Sequence, residues 1–224
     1  MARYYPEGTI VSGGLSKWCG AGGWRLGTLA FPGSLRWMLE AMACVASETY
    51  STASAPVQFA AVRAYQGGSE VEGYLFRARR ILRALGSWAG RRLKNAGVQV
   101  DTPEGAFYLF PSFARFAEKL HGRGIATSVD LCERLLAETG VAVLPGSEFG
   151  CAAAELAFRL AYVDFDGEEC LAAAEKVPGE TELEDGFLRE HCGNVVAGVG
   201  LLCDWLKSLL YLYGKNRILT AKPP

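Results

Sequence analysis

The sequence predicts an α/β chain of short alternating helices and strands, ending in an α+β layer. Three observations carry this. Apolar residues recur at helical spacing over residues 34–48, 57–65, 70–95, 129–138 and 188–213. Short strand-like runs lie at residues 9–11, 98–101, 106–113, 141–146 and 158–165. Breaks rich in glycine and small polar residues separate the two kinds. Helices and strands mixed in short units pack as layers around a common core.

The elements follow in order. Residues 9–11 open on a strand. Leu35, Met38, Leu39, Met42, Val45 and Ala46 mark one face of a helix over 34–48. SETYSTASAP, residues 47–56, is a small-polar loop, and a helix resumes over 57–65. QGGS, residues 66–69, is the candidate domain boundary, dividing the chain into 1–66 and 67–224. The helix over 70–95 buries Leu75, Ala78, Ile81, Leu82, Leu85, Trp88 and Ala89. Its arginines form a solvated face. Gly97 ends it. Residues 98–101 and 106–113 form a hairpin across TPEG, with Gly105 at the position of free φ. Ser128 caps a helix that Gly140 stops. Residues 141–146 and 158–165 are strands, Asp166 caps the next helix, and the last helix runs over 188–213.

Half of the 224 residues are apolar and the net charge is −1, so nothing in the balance calls for nucleic acid or an anionic membrane. Seven cysteines without a CxxC pair, and only two histidines, argue against a zinc site or a disulfide framework. They imply a reducing, cytoplasmic setting with thiols packed in the core. No apolar leader precedes residue 9, and a domain that begins on its first strand reads as truncated. Residues 195–213 are apolar, but Asp204 and Lys207 interrupt them, which favours a packed helix over a membrane span.

One stretch carries chemistry. GGLSKWCGAGGWRLG, residues 13–27, holds Lys17 and Arg25 eight residues apart with no acidic residue between them. A lysine in an apolar, glycine-lined site loses hydration, which favours the neutral amine, and a neutral amine condenses with an aldehyde. An arginine without a carboxylate partner holds a phosphate through paired N–H bonds. Aldehyde and phosphate on one small molecule describe pyridoxal phosphate. The spacing by itself is weak evidence, because a lysine near an arginine is mostly surface decoration.

Ser16-Lys17 followed by Trp24-Arg25-Leu26-Gly27 resembles the cofactor-lysine signature of the class I/II aminotransferases, pyridoxal-phosphate enzymes of fold type I. STASAPVQFAAV, TPEGAFYLFP, GVAVLPGSEFG and FRLAYVDFDGEEC resemble later family segments in the same order. The resemblance implies a partial large cofactor-binding domain followed by a small α+β C-terminal domain. It implies that Lys17 holds the cofactor covalently and moves a proton between substrate Cα and cofactor C4′. Ser16 and Arg25 would bind the cofactor, Arg25 at its phosphate. Arg159 would grip the substrate carboxylate. The substrates would be an amino acid and a 2-oxo acid, and the family form a homodimer in which the STASAP loop serves the neighbouring site.

Two departures stand out. Gly14 replaces a serine that the family often places three residues before the lysine. The family's ring-pairing aspartate, stacking aromatic and phosphate-cradling helix start do not occur upstream of Lys17. An exposed core face is expected in consequence. A catalytically inactive fragment or split-chain partner is therefore the alternative, and a coenzyme-A-dependent synthase shares the Lys17 chemistry.

Overall fold

The computed structural model describes residues 1–50 and 52–220, with side chains through residue 209. The chain divides into two compact units, Met1–Phe76 and Arg77–Pro224. The dividing point lies inside a helix, a little beyond the glycine pair at which the sequence places its break.

In the first unit, β1 (Val11–Gly14) and β2 (Gly27–Ala30) form a two-stranded antiparallel sheet, with Val11 opposite Ala30 and Gly14 opposite Gly27. After a short helical turn come α1 (Arg36–Thr49) and α2 (Ala55–Gln66). Proline in the first turn of α2 costs no hydrogen bond, because the first amides of a helix lack partners anyway. Gly67 and Gly68 then turn the chain at φ 69° and 112°, values that side chains with a Cβ avoid.

The apolar packing of this unit is slight. Its buried hydrophobic residues are Leu15, Leu26 and Ala61. The helix expected over 34–48 is found as α1, but it has no buried residue, and Trp37 and Val45 are 62% and 63% exposed. The helical period is correct, but no described element of the unit covers that face. The expectation of an exposed core face is met here, since both strands are exposed nearly throughout.

The second unit holds the main core. α3 (Ser69–Asn95) carries Glu70 and Glu72 in its first turn and Arg92 and Lys94 in its last, charges that complement its dipole. Ile81, Leu85, Trp88, Ala89 and Leu93 of α3 are buried. Gly97, at φ 87°, ends the helix as expected. The expected hairpin shrinks to one antiparallel bridge between Gln99 and Ser112. β3 (Tyr108–Leu109) pairs instead with β5 (Phe158–Ala161), which also pairs with β4 (Leu144–Pro145), giving an antiparallel sheet of order β3-β5-β4. The positive φ of that turn falls on Ala106 (56°), not on Gly105.

Four further helices complete the unit: α4 (Ala117–His121), α5 (Ser128–Thr139), α6 (Gly167–Glu175) and α7 (Asp185–His191). α8 (Gly193–Thr220) follows. The α5 cap is Thr127, one residue before the expected Ser128. Its hydroxyl accepts from the Asp130 amide at 3.1 Å, while the Asp130 carboxylate accepts from the Thr127 amide at 2.9 Å. Asp166 caps α6 as expected, accepting from Glu169 N–H at 2.9 Å. The single helix expected over 188–213 is two helices, because the backbone leaves the helical region at Cys192 (φ −127°).

Long-range anchors fix these helices. The Arg80 guanidinium donates to the carbonyls of Ala174, Val177, Pro178 and Thr181, so one buried-stemmed cation closes the end of α6. Trp205 of α8 donates to Glu138 of α5 at 2.6 Å, and Arg123 and Arg134 pair with the same carboxylate. Together they hold the Glu138 carboxyl below the usual range, although its partial burial opposes that shift. Among the described residues, no helix is long and apolar enough to cross a membrane.

Gly86 marks the tightest approach in this unit. A Cβ there would lie 2.6 Å from the Tyr162 hydroxyl and 2.8 Å from its ring. Tyr162 is buried and donates to Ala106 O. Gly86→Ala is expected to lose about 1–3 kcal/mol through overpacking, despite alanine's better helix propensity. Urea denaturation measures it. An unchanged midpoint would show that Tyr162 retreats without cost.

Candidate active site

The two cations of residues 13–27 sit in one loop. Past the Gly14–Gly27 rung, Leu15 N–H donates to Leu26 O at 3.3 Å, which carries the ladder one step further. Lys17 and Arg25 therefore lie in the connection that Leu15 and Leu26 close, and these two leucines are its buried anchors. Within the loop, Gly20 N–H donates to Lys17 O at 3.3 Å, and Ala21 N–H to Leu15 O at 3.1 Å. Gly20 has φ 64°, and a Cβ there would meet the Tyr74 hydroxyl at 2.8 Å, so this turn requires glycine twice over.

Ser16 is half-buried, while Lys17 and Arg25 are exposed. The expected desolvated lysine is thus not found. The reason is local: the hairpin that carries Lys17 has both of its strands exposed and three buried apolar residues behind it. Arg25 has left-handed backbone (φ 54°), and its guanidinium donates to Gly22 O at 2.8 Å. Among the described residues no carboxylate pairs with it, so the remaining N–H donors are available to an anion.

Arg25 also lines an open cleft of about 1040 Å³ together with Ser12, Thr28, Thr52, Gln58 and Tyr65. Lys17 and Ser16 are not among its lining residues. The Tyr65 hydroxyl meets Thr28 Oγ1 at 3.1 Å, and its ring lies 5.6 Å from that of Trp18, the neighbour of Lys17. Sequence reasoning passed over Tyr65 and Thr28. Tyr65 reads there as one more apolar position of a helix.

Arg159 belongs to the second unit. β5 alternates, with Phe158 and Leu160 buried and Arg159 on the opposite face. In the β3–β5 register Tyr108 stands opposite Ala161, two residues from Arg159 and on the same face. The guanidinium lies 4.4 Å from the centre of the Tyr108 ring and 4.4 Å from that of Phe149. Among the described residues no carboxylate pairs with it. Both rings attract the guanidinium through their faces, and its N–H donors remain suited to a planar anion. Tyr108 and Phe149 were not singled out from the sequence, because their role depends on strand register.

Residues 2–177 match the family model for aminotransferase class I and II. The chain belongs to this family. An aspartate aminotransferase of Rhizobium meliloti is 32% identical over 177 residues, covering 75% of this chain and 40% of the relative. An aromatic-amino-acid aminotransferase of Thermococcus litoralis is 33% identical over 189 residues, covering 79% and 43%. The crystal structure of an aromatic aminotransferase from Pyrococcus horikoshii superposes with a TM-score of 0.64 at 25% identity, covering 90% of this chain and 44% of that one. Aspartate aminotransferase from Thermus thermophilus with maleate gives 0.62 at 28% identity, covering 77% and 41%. The chain thus spans about two fifths of the length of these relatives. Its fold is part of the type I pyridoxal-phosphate-dependent transferase fold, and the family's cofactor is pyridoxal phosphate.

Proposed function

We propose that this chain carries the cofactor lysine, a phosphate-binding arginine and a carboxylate-binding arginine of a pyridoxal-phosphate-dependent aminotransferase. Its substrates are an amino acid and a 2-oxo acid, with the working enzyme a homodimer. Residues 1–66 belong to the large cofactor-binding domain and 67–224 to the small C-terminal domain. The observation that carries the reading is the single connection between β1 and β2 that bears both Lys17 and Arg25, with no carboxylate pairing with Arg25 among the described residues.

The residues present suit the group. Lys17 offers an exposed primary amine, Ser16 a hydroxyl, and Arg25 a guanidinium with donors to spare. The cofactor, when bound, supplies an aldehyde and a ring that takes up electrons from the substrate Cα. Arg25 would hold the phosphate through its N–H donors. Arg159, in contact with the Tyr108 and Phe149 rings, would grip the substrate carboxylate through two N–H bonds. Lys17 then carries the proton.

A second reading rests on the exposed strands and the uncovered α1: this chain alone binds the cofactor without transaminating. Both are tested by titrating the chain with pyridoxal phosphate, adding aspartate or phenylalanine, and assaying for 2-oxo acid. Visible absorbance with 2-oxo acid supports the first reading, and absorbance without it supports the second. No absorbance overturns both. In the same titration Arg25→Gln is expected to weaken cofactor binding by about 10- to 100-fold, the value of charge-assisted bonds to a phosphate. An unchanged affinity would remove Arg25 from the site.

A further inference from the structure

The proposed pyridoxal-phosphate chemistry uses none of the cysteines, yet two of them form a pair. Cys170 of α6 and Cys192, which caps α7, are fully buried, and their sulfurs lie 3.8 Å apart. Both backbones are pinned. Cys170 N–H donates to Asp166 O at 3.0 Å, and Cys192 N–H to Leu188 O at 2.9 Å. The preceding residues face each other too: His191 Nδ1 lies 3.5 Å from Glu169 Oε1. Two consecutive residues on α6 thus meet two consecutive residues at the end of α7. The other buried thiols, Cys132 and Cys203, have no sulfur partner among the described residues.

We propose that Cys170 and Cys192 are a peroxide-sensitive pair that closes to a disulfide and clamps α6 to the end of α7. The separation already suits it, because small side-chain rotations bring two sulfurs from 3.8 Å to a bond of about 2.05 Å. The thiols are unequal. With Cys170 as the donor across the 3.8 Å contact, Cys192 is held below the usual thiol range, while that same bond and burial hold Cys170 above it. Cys192 is therefore the attacking sulfur.

The step balances with hydrogen peroxide as oxidant. The Cys192 thiolate attacks one peroxide oxygen; an S–O bond forms, the O–O bond breaks, and hydroxide leaves with the proton Cys192 has given up, as water. The Cys170 sulfur then attacks the Cys192 sulfur. The S–S bond forms, the S–O bond breaks, and the second hydroxide leaves as water with the Cys170 proton. Two thiols are oxidised by two electrons in all, and one peroxide is reduced to two waters. Burial selects a small oxidant that enters on local opening of the seven-residue α7 and excludes bulkier disulfides.

The test treats the folded chain with hydrogen peroxide, quenches it, alkylates remaining thiols in denaturant and maps tryptic peptides without reduction. Exposed Cys44 serves as the internal clock. A linked pair of peptides 160–176 and 190–207 is expected, with fragmentation placing the bond on Cys192 and not on Cys203. Dithiothreitol reverses it. Closing a loop of this span is expected to raise the melting temperature by about 5–15 °C. Cys170→Ser loses both the link and the rise. Cys44 oxidised while Cys170 and Cys192 remain alkylatable, or either of the pair taken to sulfinic acid without a link, overturns the proposal. Because the link is read on the unaltered chain, the outcome does not depend on the variant folding.

Discussion

Lys17→Ala abolishes specific covalent retention of pyridoxal phosphate. The Lys17 amine shares a loop with Arg25, and the loop is closed by Leu15 N–H on Leu26 O at 3.3 Å. A phosphate held by Arg25 raises the local aldehyde concentration at that amine, which random surface lysines do not enjoy. Without the amine, phosphate binding by Arg25 persists, but it is weak and reversible. Lys17→Arg keeps the charge and cannot condense with an aldehyde, so it fails in the same way. Both variants are expected to fold as the parent does, since residue 17 is exposed and the buried anchors of the loop are Leu15 and Leu26. Absorbance in the visible range after mixing with cofactor, before and after desalting, reads the effect. Equal retention by parent and variants would place the chemistry elsewhere.

Phe158→Ala is expected to cost about 3–5 kcal/mol, the range for deleting a buried aromatic side chain. Phe158 is fully buried on the middle strand of the three-stranded sheet and packs on Phe113 with ring centres 5.2 Å apart. Measured stabilities of domains run to about 5–15 kcal/mol, so this single loss removes a large share of the total. The melting temperature should fall by about 6–20 °C. The effect reaches the site, because Phe158 anchors in the core the same short strand that presents Arg159 to Tyr108 and Phe149. A loss below about 1 kcal/mol would mean that the core closes around the gap, outside the usual range for such deletions.

What the sequence reveals divides along physical lines. Helix limits written in local chemistry are legible: Gly97 and Gly140 stop their helices in left-handed conformation, and Asp166 caps its own. Thr127 displaces Ser128 as the α5 cap because Asp130 returns the bond, a reciprocity three residues long. The strands are less legible. Residues 98–101 have strand composition but retain one bridge, since pairing depends on partners distant in the chain. The apolar period of α1 shows which face is apolar, not whether anything covers it, and that face is exposed.

The candidate site follows the same division. Lys17, Arg25 and Arg159 stand out as cations in motifs. Tyr108 and Phe149, whose rings contact Arg159, follow from register and from a turn after β4, neither of which a motif states. The exposure of Lys17 was likewise hidden, because enclosure is a property of neighbouring elements.

The most direct measurement locates the cofactor on the chain. The protein is mixed with pyridoxal phosphate, reduced with borohydride and digested with trypsin. Label on Lys17 blocks cleavage there, so a modified peptide 4–25 should carry nearly all of it. Label spread over Lys94, Lys119, Lys176 and Lys207, with no preference for Lys17, would contradict the assignment of the site.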